Sequence, residues 1–72
     1  ITSAKKEEIK YLEGSIGYLQ EIIKKNKELI VQATDNETRT KLRKENELLQ
    51  IKLDLLAKAR VLVENINAPL AD

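Results

Sequence analysis

The chain has no cysteine, histidine, phenylalanine, tryptophan or methionine, and only one proline, two glycines and two tyrosines in 72 residues. Without cysteine there are no disulfides, thiolate metal sites or cysteine nucleophiles. Without histidine, Ser3, Ser15 and the threonines lack an imidazole base, and the Glu-x-x-His sets of four-helix di-metal sites are excluded. No lysine sits in a recognisable base motif, and no glycine-rich loop is available for phosphate. Acid pairs such as Glu7-Glu8 and Glu45/Glu47 imitate catalytic carboxylates in composition only. Hydrolases hold theirs in a concave pocket, which a rod of two helices does not offer. The expectation is no enzyme, no metal and no cofactor. No apolar run approaches a membrane span. Intermixed Lys and Glu without bulky aromatic anchors argue against a membrane-surface role. The opening Ile1-Thr2-Ser3-Ala4 is no secretion signal and reads as a cut or mature terminus, which leaves a cleaved signal open.

What is present is mostly Leu, Ile, Lys, Glu and Asn, the composition of long helices and coiled coils. The length allows one small domain whose aliphatic side chains do nearly all the burying. Ser3 can cap a first helix, with Glu7 and Glu8 near its positive end. Ile9, Leu12, Ile16, Leu19, Ile23, Asn26, Ile30 and Ala33 then alternate by three and four, the a/d seam of a heptad. Beside this seam runs a second stripe of Tyr11, Ser15, Tyr18, Ile22 and Leu29, which widens the apolar face to about 160°. One neighbouring helix cannot cover it. Either hairpins associate into a helical bundle, or the extra face docks a partner. Gly14 and Gly17 fall away from the seam, where each weakens a helix by about 1 kcal/mol relative to Ala. They read as a tolerated weak spot or as room for a partner helix.

Ala33-Thr34-Asp35-Asn36-Glu37-Thr38 interrupts the pattern. Thr34 and Glu37 have capping-box spacing, and Asp35 is an equally good N-cap. One unbroken helix is the alternative, since neither Gly nor Pro occurs here. A capping signature inside a helix is uncommon, so the sequence predicts an all-α, antiparallel two-helix hairpin of coiled-coil type. The expected limits are a helix over 4–33, a turn over 34–36, a helix over 36–66 and a frayed tail over 67–72. Asn65, Asn67 and Pro69 supply the stop.

In the second helix Leu42, Leu49, Leu56 and Val63 recur every seven residues, as do Leu48, Leu55 and Leu62. Glu45, Lys52, Ala59 and Ile66 lie between those stripes. Folding back at the turn pairs residues whose numbers sum to about 71. Ile30 then meets Leu42, Ile23 meets Leu48 and Leu49, Ile16 meets Leu55 and Leu56, and Ile9 meets Leu62 and Val63. Asn26 lands opposite Glu45, and this polar layer is expected to set the register, because a slip leaves both groups unpaired. On that basis Asn26→Leu is expected to raise the melting temperature and loosen the register. The apolar side chains left over, Tyr18, Ile22 and Leu29 on one helix and Leu48, Leu55 and Leu62 on the other, are the candidate partner-binding surface.

Net charge is +1 but unevenly spread. Residues 1–23 carry −1, residues 24–44 carry +4 and residues 45–72 carry −2, so a hairpin has a basic turn and an acidic open end. Cations complementing the C-terminus of the first helix, together with ordinary solvated faces, are the expected reason. Acids are mixed in and no aromatics are interleaved for base stacking, so a nucleic-acid partner is not expected.

Lys27-Glu28-Leu29-Ile30, the turn Thr34-Asp35-Asn36-Glu37-Thr38-Arg39 and the run Lys41-Leu42-Arg43-Lys44-Glu45-Asn46-Glu47-Leu48-Leu49-Gln50 resemble the phyllogens, small secreted effectors of plant-infecting phytoplasmas. The likeness covers roughly residues 5–66, and its motifs are ones that many Lys/Glu/Leu coiled coils share. The resemblance implies a bacterial virulence protein acting in the cytoplasm or nucleus of the host plant cell. It implies binding to the keratin-like coiled-coil segment of floral MADS-domain transcription factors, and their proteasomal degradation through a shuttle protein, which alters flower development. The competing reading is a structural coiled-coil oligomerisation domain of a larger protein. Self-association is expected under either, because so small a core is marginal alone.

Overall fold

A computed structural model of the chain describes residues 4–66. Two helices, α1 (Ala4–Gln32) and α2 (Asn36–Glu64), pack along their length as an antiparallel hairpin. Its Cα atoms fill 54 × 18 × 11 Å, a single layer of helices. The expected Ser3 cap and the expected frayed tail with Asn67 and Pro69 lie outside the described residues.

The turn spans 33–35, one residue earlier than the expected 34–36. Of the two caps the sequence offers, Asp35, not Thr34, is the N-cap of α2. Its backbone is extended (φ −119°, ψ 152°), and its carboxylate accepts from the Thr38 amide and the Thr38 hydroxyl, both at 2.9 Å. A carboxylate oxygen takes both bonds and also suits the positive helix end, which a Thr hydroxyl does less well. The Thr38 amide, then the Thr38 hydroxyl and the nearby Arg39, hold the Asp35 carboxyl below its ordinary value. Glu37 pairs with Lys41 at 3.5 Å, one turn further into α2.

Arg39 ties the two helices together at this end. Its guanidinium donates to the Ala33 carbonyl at 3.1 Å and to Asn36 Oδ1 at 2.7 Å. That carbonyl belongs to the orphaned C-terminal end of α1, where a cation is favoured. At the other end the Asn65 amide donates to Val61 O and closes α2 two residues before the expected limit.

The α1 seam packs as its heptads predict. Leu12 and Ile23 are buried, and Ile9, Ile16, Leu19 and Ile30 are half-buried. The α2 seam is Leu42, Asn46, Leu49, Leu53, Leu56, Arg60 and Val63, all half-buried. Here the sequence expectation is corrected. The line Glu45, Lys52 and Ile66 is exposed, and only its Ala59 is half-buried. Asn46, Leu53 and Arg60 stand in the seam instead. A long Arg can bury its stem while its head reaches the edge, so a polar letter at position 60 does not interrupt the seam. That head lies 3.7 Å from Glu13 of α1 and 3.0 Å from Glu64.

Candidate docking face

The hairpin has two broad faces, and the direction of each helix decides which side chains share one. At about 100° per residue, Ser15, Ile22 and Leu29 lie about 80° to one side of the α1 seam, and Tyr11 and Tyr18 about 130°. Ile66 and Ala59 on α2 lie about 80° from its seam, and Leu48, Leu55 and Leu62 about 130°, in the same rotational sense. Because the helices run oppositely, equal rotation from facing seams carries both sets to the same side. Tyr11, Ser15, Tyr18 and Leu19 accordingly share a shallow groove with Leu56 of α2. The reverse rotation carries Lys27 of α1 together with Arg43, Glu47 and Gln50 of α2, and these line a groove on the opposite, polar face.

All six candidate binding residues therefore fall on one face. Tyr18, Leu48, Leu55 and Leu62 are 60–69% exposed and Leu29 is 40% exposed, whereas Ile22 is half-buried against the seam. Tyr11 and Ile66 join them, so seven of the ten large apolar side chains exposed among the described residues lie here. Val31, Ile51 and Val61 lie elsewhere. Near the open end the apolar surface also wraps the outer side of α2, where Ala57, Val61 and Leu62 line a groove.

Beneath the turn-proximal part of this face lies the polar layer. Asn26 is only 6% exposed. Its amide donates to Glu45 Oε1 at 3.0 Å and to Asn46 Oδ1 at 2.9 Å, and Asn46 Nδ2 donates to the Ile23 carbonyl at 3.2 Å. The Asn26–Glu45 contact is thus present, but Glu45 is exposed and Asn46 is the seam partner. Sequence periodicity missed Asn46. The signal that finds it is the three-four spacing from Leu42 through Asn46 to Leu49. The cross-helix bonds, including Lys5 Nζ to the Ile66 carbonyl at 3.2 Å, join residues whose numbers sum to between 69 and 72.

Chemically, this face can bury aliphatic and aromatic surface against another helix, with Lys25 and Lys41 in its outer stripes and the exposed Glu8, Glu45 and Lys52 interspersed along its inner lines. Among the described residues, no group of acidic side chains is arranged to hold a metal ion, and no helix is long and apolar enough to cross a membrane. No family model, characterised protein or solved structure matches this chain.

Proposed function

We propose that the hairpin is a non-enzymatic recognition module that lays its apolar face against a partner's coiled coil. The observation that carries this reading is the gathering of Tyr11, Tyr18, Leu29, Leu48, Leu55, Leu62 and Ile66 on one side of a single-layer hairpin. Each Leu taken from solvent into an interface contributes on the order of 1–2 kcal/mol, so three on one helix form an anchor line. Exposed apolar surface of this extent on a short chain is a usual mark of a docking site.

The resemblance to phyllogens supplies the partner class: the keratin-like coiled-coil segment of floral MADS-domain transcription factors. In this proposal the chain acts inside the plant cell after bacterial secretion and couples the bound factor to a proteasomal shuttle protein. Leu48, Leu55 and Leu62 of α2 and Tyr18, Ile22 and Leu29 of α1 form the contact.

Light scattering on a sizing column tests the reading, with the chain run alone and then mixed with that keratin-like segment. A new shared peak of defined mass is the expected result, and Leu55→Glu removes it while circular dichroism stays helical. Unchanged peaks contradict the proposal and leave a structural oligomerisation module.

A further inference from the structure

The outer side of α2 carries a second heptad line. Lys44, Leu48, Ile51, Leu55, Lys58 and Leu62 follow one another at four, three, four, three and four residues, the spacing of a coiled-coil seam. This line lies about 150° around α2 from the seam that α1 occupies, so α1 does not reach it. Its four apolar side chains are each more than half exposed, and Lys58 and Leu62 line the groove there with Ala57 and Val61. The matching outer line of α1, from Glu7 through Tyr11, Tyr18 and Lys25 to Gln32, holds no Leu, Ile or Val. Packing of the hairpin therefore does not require such a line, and only α2 has one.

Two lysines in the line limit what can cover it. Lys44 and Lys58 stand fourteen residues, two heptads, apart. Neither makes an ion pair among the described residues. Asp54, one turn before Lys58, accepts instead from Gln50 at 3.0 Å. Covering both cations with apolar side chains buries unpaired charge, which is strongly unfavourable. From Lys44 to Leu62 the line holds no acidic residue, so a second copy laid along it brings no carboxylate from its own line to either lysine in any register. In the parallel register each lysine meets itself.

We infer that the outer line of α2 docks a helix of a different protein, whose own seam carries two acidic residues fourteen apart with three Leu or Ile between them. The acids meet Lys44 and Lys58, and the apolar residues meet Leu48, Ile51 and Leu55. The fourteen-residue spacing is the same for either direction of the partner helix. Leu62 extends the apolar contact past Lys58, and the whole line spans about 27 Å along α2. Glu47 and Asp54 border it on one side, and Glu45 and Lys52 on the other, where coiled coils carry the charges that set orientation. The inference rests on the recognition-module reading but not on the MADS-domain partner. It keeps Leu48, Leu55 and Leu62 of the broad face and turns the contact outward to Ile51, away from Tyr18.

Synthetic helices of about four heptads test this, with Leu through the seam and Glu at two positions fourteen apart, placed for a parallel or an antiparallel approach. Counterparts carry Lys at those two positions. Binding is read from the anisotropy of the labelled peptide as the chain is added. One Glu peptide binds at least about tenfold more tightly than its Lys counterpart, and the Lys44→Glu/Lys58→Glu chain reverses that preference. Ile51→Asp abolishes binding and Tyr18→Asp leaves it unchanged, with circular dichroism confirming the helices in each variant. No binding of either Glu peptide, or equal affinity for the Glu and Lys peptides, overturns the inference. So does binding lost in Tyr18→Asp and kept in Ile51→Asp. A dimer of the chain alone that Ile51→Asp abolishes puts a second copy on the line and overturns it as well. Binding of the keratin-like segment that ignores both Ile51→Asp and Lys44→Glu/Lys58→Glu leaves the recognition reading standing while this inference falls.

Discussion

The two broad faces of the hairpin share the same helices, seam and backbone geometry, yet differ sharply in chemistry. One presents Tyr18, Leu29, Leu48, Leu55 and Leu62; the other presents Lys27, Arg43, Glu47 and Gln50. The seam of a two-stranded coiled coil uses only its a and d positions, so the flanking positions are free to differ. Residues that add nothing to the seam are where this chain carries its apolar surplus. The lesson is that hydrophobicity alone does not identify the core. On α2 the most regular leucine line, positions 48, 55 and 62, is exposed, whereas Asn46 and Arg60 stand in the seam.

The largest expected effect separates seam from face. Ile23→Ala, at a buried position, lowers stability by about 2–4 kcal/mol in a denaturant melt. Leu48→Ala, largely exposed in the single hairpin, changes that melt by less than about 0.5 kcal/mol when measured at dilutions where the chain is monomeric. Equal losses at both positions break the distinction.

Next in size is the polar layer. The sequence alone suggests that Asn26→Leu stabilises, but the structure shows two acceptors on that amide. Removing Asn26 leaves Asn46 Oδ1 without its donor and costs about 1 kcal/mol. Replacing both, as Asn26→Leu with Asn46→Leu, raises the melting temperature and loosens register, read as mixed cross-linking at Glu13→Cys/Arg60→Cys. A single Asn26→Leu that stabilises contradicts this reading.

Gly14→Ala gives a gain of similar size, about 1 kcal/mol, because a Cβ there meets nothing within 4 Å and the helix loses a weak spot. A drop in stability on dilution to monomer shows that Gly14 serves some packing within the hairpin. The smallest effect concerns the cap. Hydrogen bonds from Thr38 depress the Asp35 carboxyl, so the folded state prefers it ionised. Its stabilising contribution is present above the ordinary aspartate range and fades as pH falls through the lower folded value, below about pH 4. Asp35→Asn removes that part of the acid sensitivity, and an unchanged acid titration of the melting temperature rules the linkage out.

The hairpin and the α1 seam were legible because Ile and Leu keep strict heptads and the turn carries a capping signal. Which residue caps was less so, since Thr34 and Asp35 both fit a sequence rule and only backbone geometry chooses Asp35. The α2 seam was half legible. Position 49 and its heptad relatives stood out, but a seam Asn and a seam Arg look like surface until the register brings Asn26 and Glu13 beside them. The candidate face was legible as residues, though not as one surface. That step needs the antiparallel direction, which converts two separate stripes into a single side.

The most direct test of the two-face account is the mass in solution of two matched double variants, by light scattering. Leu48→Glu/Leu55→Glu places two carboxylates on the apolar face, and Gln20→Glu/Thr40→Glu places two on the polar face. The account predicts a helical monomer that no longer joins a coiled-coil partner for the first, and unchanged assembly for the second. Loss of assembly in the second, or its retention in the first, would contradict it.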